Sequence, residues 1–209
     1  MIKIDLLTNG IDSLKSAYMT MNKIPELEQG LEHNLKDAVL SFSHGIEILF
    51  KHILKKKEEY LIFSDIDKFI SAKKKVLKEN KDNVFEVNPN LKTVTLMESI
   101  DRLKYLCKYI ISEDLELILY YLNGIRNQLM HYEVNFSEEE SRELLKKLQL
   151  GYELSVEFLI KSIENFSDYF DSARYEITVD EYQDMMAEIY AEMRYEEERE
   201  LRGYYEGSL

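Results

Sequence analysis

One cysteine, Cys107, stands in 209 residues, so the chain can form neither an internal disulfide nor a zinc site built on several thiolates. A reducing, cytoplasmic setting is the expectation that follows. Proline and glycine are almost as scarce, with two and seven residues. Strands and tight hairpins need that punctuation, and its scarcity favours long helices joined by few turns. No apolar run approaches the roughly 18 residues needed to span a bilayer. Residues Met1 to Leu7 contain a lysine but lack the apolar stretch of a signal peptide. There is no glycine-rich phosphate loop, no H-E-x-x-H and no nucleophile elbow, which removes the usual sequence grounds for kinase and hydrolase readings. No cofactor or metal is expected.

What is present is core material and charge. Apolar residues make up 45% of the chain, with 15 Tyr and 9 Phe among them, enough for one sizeable core. The net charge of −13 argues against avid nucleic-acid binding, because phosphates need cations. That charge is uneven. Ten Lys and five acids fall between Lys51 and Lys81, whereas eleven acids and three Arg fall between Glu176 and Glu206. The division expected is a helical body over 1–172 and an acidic helical extension over 173–209. Lys73, Lys74 and Lys75 are the residues of the basic stretch placed to meet RNA, with a solvated lysine face as the alternative.

The apolar spacing is helical throughout. Leu31, Leu35, Ala38, Phe42, Ile46, Leu49 and Ile53 step by three or four and predict a helix over about 31–57. A helix over about 10–23 is bracketed by Gly10 and Pro25. Ser64 is placed to cap a helix from Asp65 to about Lys78, and Asn-rich residues 80–90 read as loop. Thr95 with Glu98 forms a capping box for a helix to about Ile111. Ser112 caps the next, to about His131. Ser137 with Glu140 starts one to about Phe170, and Thr178 with Glu181 the last, to about Tyr204. The fold class expected is all-α: an antiparallel bundle of four main helices plus additions, ending in an acidic helix. On that last helix Tyr182, Met185, Met186, Ile189 and Met193 make a stripe expected to pack on the body or on a partner.

The segment 115–131 carries the chemistry. Leu115, Ile118, Leu122, Ile125 and Leu129 form a core seam. Tyr120, Gly124, Asn127 and His131 lie roughly opposite at 100° per residue. This second face is nearly uncharged, and Leu117 and Tyr121 flank it, so it is expected to be covered, by a twin subunit in a small bundle. Asn127 and His131 are four apart and share it, while Arg126 reaches toward it from the flank. His131 sits at the helix C-terminus, whose dipole favours an imidazolium. Such a histidine can exchange protons, and an arginine beside it can hold a phosphate and the added charge of its transition state. RNA brings its own nucleophile, the 2′-hydroxyl, so this set can cleave it without a metal.

Arg126-Asn-Gln-Leu-Met-His131 resembles the R-N-x-x-x-H form of the R-x(4–6)-H motif of HEPN domains. Ala38-Val-Leu-Ser-Phe-Ser-His-Gly-Ile-Glu-Ile-Leu-Phe-Lys51 is similar to the second helix of bacterial members. Thr93-Val-Thr-Leu-Met-Glu-Ser-Ile-Asp-Arg-Leu103 is similar to the segment leading into their motif helix. The likeness spans about residues 10–170 and excludes the acidic tail. It implies a helical homodimer with both motifs at the interface. It also implies a metal-independent endoribonuclease leaving a 2′,3′-cyclic phosphate, of toxin or phage-defence type and often held by an antitoxin. Members paired with a nucleotidyltransferase carry a Tyr two residues after the motif His. Here Glu133 holds that place and Tyr132 precedes it.

Three further residues stand as possible support. Glu47, close to the core stripe of its helix, is placed either to orient Arg126 or His131 or to stand exposed. His44, one turn earlier, is expected to be partly buried and hydrogen-bonded. Tyr132 follows the motif directly. The rival to an enzyme is a non-catalytic helical module of the same fold that binds a partner protein or nucleotide.

Overall fold

A computed structural model describes the backbone of residues 4–206 and the side chains to Arg199, in two units, one ending at Ala173 and the other starting at Arg174. Among the described residues all regular structure is helical, save one antiparallel bridge between Phe63 and Thr93. The first unit holds eight α-helices: α1 (Leu6–Lys23), α2 (Leu31–Lys57), α3 (Ile66–Glu79), α4 (Val84–Val87), α5 (Leu96–Asp101), α6 (Glu113–His131), α7 (Glu138–Ser162) and α8 (Phe166–Ser172). The second unit holds α9 (Val179–Glu206).

Helix α2 is the axis of the first unit, packing against α1, α5, α6 and α7. Its stripe Leu35, Ala38, Phe42, Ile46, Leu49 and Ile53 is buried as the spacing requires, but Leu31 is exposed at its start. Burial extends further around the helix than one stripe, to Val39, Phe50 and Leu54. Helix α1 lies against α2 along the most extensive contact in the fold. Glycine makes the approach possible. A Cβ on Gly45 would sit 2.9 Å from the Leu14 amide nitrogen and 3.0 Å from the Gly10 carbonyl oxygen. A Cβ on Gly10 would meet the Leu49 side chain at 2.7 Å. Gly10 therefore lies inside α1, and the helix begins earlier than expected, at Leu6. Asp5 and Thr8 close a capping box there.

Other boundaries move for local reasons. Asp65, not Ser64, caps α3, accepting from the Lys68 amide. The Ser64 hydroxyl instead donates to the Lys92 carbonyl. Within the expected loop, Asn83 caps the one-turn helix α4. The helix expected over 95–111 runs as α only to Asp101, widens into a π-turn over Arg102–Leu106 and stops at Lys108, whose φ is +61°. The helix expected over 137–170 breaks after Ser162, and Asn165 takes a left-handed conformation (φ +55°) before α8 begins. Arg102 ties the connection after α2 to α5: one guanidinium nitrogen donates to the carbonyls of Leu61 at 2.7 Å and Phe63 at 2.8 Å.

His52 is half-buried on α2, and burial first, then Lys56, lowers its pKa from the ordinary 6.5, with Asp5 opposing and Lys55 assisting. The folded chain thus binds this proton less tightly than the unfolded chain. Stability from this residue is intact above about pH 6.5 and is lost as pH falls through the folded value. Replacement His52→Gln should flatten the acid limb of a denaturant-midpoint profile between about pH 5 and 7; an unchanged limb would assign the slope to other groups. At the helix crossing, Gly45→Ala should cost about 1–3 kcal/mol in urea unfolding, because its new neighbours are backbone atoms that cannot move aside. Gly10→Ala should be destabilising as well, because its Cβ would sit 2.7 Å from Cγ and 3.2 Å from the backbone nitrogen of the fully buried Leu49.

Candidate functional site

The sequence places α6 well. Ser112 caps it, accepting from the Leu115 amide, and Glu113, Asp114 and Glu116 stand in the first turn, where the dipole favours acids. Glu116 also pairs with Lys104. Leu115, Ile118, Leu119, Leu122 and Ile125 are buried, while Leu129 is half-buried. The helix ends at His131, and Tyr132 turns the backbone into an extended conformation.

On the outer face Asn127 and His131 are exposed, about 6 Å apart along the axis from a four-residue rise. Arg126 is half-buried on the flank. Its guanidinium donates to the Asn127 side-chain oxygen at 3.0 Å. Among the described residues no carboxylate comes within ion-pair distance of Arg126. Its cation is therefore held by a neutral amide, which orients the group while leaving its charge uncompensated. The ordinary alternative, an arginine paired with a surface acid, is not what the chain builds.

The face around these residues is open within the single chain, and the cover expected for it is that of a twin subunit. Leu117 and Tyr120 are 69% and 70% exposed, and a Cβ on Gly124 would meet nothing within 4 Å. Two hollows flank the helix. One of about 490 Å³ lies between Leu35 and Val39 of α2, Leu129, Phe136 and Leu144 of α7. The other, about 410 Å³, lies between α6 and α7, where Lys147 stands 4.2 Å over the Tyr121 ring. Neither is lined by Arg126, Asn127 or His131.

Glu47 is corrected outright. It accepts from the Lys51 ammonium at 2.5 Å, and Lys51, 5% exposed, also donates to the Thr93 hydroxyl at 3.0 Å. The carboxylate neutralises a buried cation and is not an orienting partner of Arg126 or His131. The signal was in the sequence: Lys51 lies next to Phe50 on the buried side, four residues from Glu47, the spacing of a helical ion pair. His44 is exposed, not partly buried. Tyr132 is 81% exposed. Lys73, Lys74 and Lys75 are all exposed, but Lys73 pairs with Glu59 at 2.5 Å, so the trio is not uniformly available to phosphate.

Among the described residues no group of His, Cys, Asp and Glu is arranged to hold a metal, and no helix is long and apolar enough to cross a membrane. Compared with known protein families, curated proteins and solved structures, the chain matches none.

Removal of one partner from the Lys51 pair leaves a charge with little access to water. Glu47→Ala should lower stability by about 1–3 kcal/mol, and adding Lys51→Met should recover part of the loss. Thermal unfolding of both variants measures this; equal losses in the single and the double would show that the pair is not what Glu47 supplies.

Proposed function

We propose that the chain is a metal-independent endoribonuclease of the HEPN type, acting as a homodimer in the cytoplasm with RNA as substrate. The observation that carries this reading is the Arg126 guanidinium, held by Asn127, without a neutralising carboxylate, and on the same helix as His131. Two-fold pairing along the open face of α6, where Leu117 and Tyr120 lie exposed beside Gly124, brings both copies of the motif into one cleft. The finer fold, a HEPN-like antiparallel bundle followed by an acidic helix, belongs to the same reading.

The chemistry follows from the groups. One imidazole takes the proton from the RNA 2′-hydroxyl, whose oxygen attacks the adjacent phosphorus. The P–O bond to the 5′-oxygen breaks, and that oxygen receives a proton from a second acid, the partner's motif histidine in its protonated form. The products are a 2′,3′-cyclic phosphate and a 5′-hydroxyl. Arg126 holds the phosphoryl oxygens as charge builds on them. Asn127 fixes the guanidinium. The substrate supplies the nucleophile, so the scheme needs no metal. A toxin or phage-defence effector restrained by an antitoxin is the role this activity fits.

The net charge of −13 favours a second reading, a non-catalytic module of this fold that binds a partner protein or nucleotide. Incubation with tRNA and mRNA in EDTA separates the two. The enzyme reading expects cyclic-phosphate ends, falling at least about 100-fold in Arg126→Ala and His131→Ala. Cleavage by no variant, or equal cleavage by all, would leave the module reading.

A further inference from the structure

Tyr132 is the first residue beyond α6 and directly follows His131. Its side chain is 81% exposed, more than any other aromatic among the described residues. No second ring and no cation lies against it there. The main chain beneath it is nonetheless fixed. The Tyr132 amide donates to the Gln128 carbonyl at 2.8 Å, and the backbone is extended, with φ −151° and ψ −160°. An aromatic face left in water beside an imidazole that can exchange protons is an open stacking platform.

The charges around this turn decide what such a face can meet. Glu133 follows Tyr132, and Glu138, Glu139 and Glu140 open α7, all of them exposed. Carboxylates repel phosphates, so the turn cannot grip an RNA strand by its backbone. Every base, by contrast, has a π-face, and stacking on a tyrosine does not depend on charge. Arg126 is left to take one phosphate, and the strand next to it is held through a base. Bases in a duplex stack on one another inside the helix, whereas unpaired bases can be splayed onto a side chain.

We infer that Tyr132 is a specificity-determining residue of the site: its ring stacks on the base beside the scissile phosphate, and the substrate is unpaired RNA. The inference rests on the ribonuclease reading and narrows it. Consecutive Cα atoms are about 3.8 Å apart, so a ring one residue from His131 reaches the nucleotides that flank the bond on which the imidazole acts. The stacked base carries no proton and no charge in the reaction. It fixes where the 2′-hydroxyl and the adjacent phosphorus come to rest against the imidazole.

The test uses the full-length protein in EDTA. Once the cut is mapped on tRNA and mRNA, an RNA oligonucleotide spanning it is offered single-stranded, annealed to its complement, and with an abasic ribose in place of either flanking base. Tyr132→Ala should act mainly on KM, raising it about tenfold on the intact single strand. Tyr132→Phe should match the wild type, and Tyr132→Leu, bulky but without a flat face, should not. The annealed oligonucleotide should be cut at least about tenfold more slowly. One abasic oligonucleotide should lose about as much as Tyr132→Ala does, and the two changes together should cost no more than either alone. That last outcome is decisive, because a merely structural role would cost the same on every substrate. Cleavage by Tyr132→Ala at the wild-type KM, full rescue by leucine, equal cutting of the duplex or additive losses would overturn the inference and leave the ribonuclease reading standing. Cleavage of no RNA by the wild-type chain would instead overturn the ribonuclease reading, and the inference with it.

Discussion

The close crossing of α1 and α2 is the constraint on which the first unit depends. Gly10 and Gly45 let two backbones approach to a separation that a single methyl group would prevent. With α1 seated there, one flank of α2 is sealed, and α2 can offer its remaining circumference to α5, α6 and α7. A helix surrounded in this way buries more than one stripe, so Val39, Phe50 and Leu54 are covered too, while His33, Asp37 and His44 stay exposed along the remaining side. Enclosure is also why the one cation on the buried side, Lys51, needs Glu47 and Thr93. The same arrangement fixes α6 by its inner seam and leaves its outer face, with Asn127 and His131, unencumbered.

Helix identity and the position of the motif were legible because periodicity and capping act locally. The spacing from Leu31 to Ile53 and the caps Ser112, Ser137 and Thr178 each specify a start or a face without reference to the rest of the chain. Features set by tertiary contact were not legible in that way. Gly10 reads as a helix boundary in sequence, yet it is a contact surface in space. The left-handed residue that ends the π-turn is a lysine, a type with no strong preference for that conformation. Asn165 is the more readable case, since asparagine tolerates the left-handed region, but it lies inside an otherwise unbroken helical pattern.

At the site the outcome divides by range. That Arg126, Asn127 and His131 share one helix followed from spacing alone, and the Arg126 to Asn127 bond joins neighbours in sequence. Glu47 went the other way, because a carboxylate near the core stripe satisfies itself with the nearest available cation. Its own helix offers Lys51 one turn on, and a local pair forms without assembling distant helices. The outer face of α6 shows a further limit: the pattern says that an apolar surface wants cover but not whether the same chain provides it.

The lone bridge between Phe63 and Thr93 carries a consequence for self-assembly. Two-residue pairings of this kind ordinarily leave an edge where a foreign strand can add. Here the Leu61 and Phe63 carbonyls accept from Arg102, the Ile62 carbonyl accepts from the Val94 amide, and the Ser64 amide donates to the Lys92 carbonyl. The carbonyls of Leu61, Ile62 and Phe63 are thus all engaged within the chain, which leaves this side of the extended segment no run of free acceptors for another backbone.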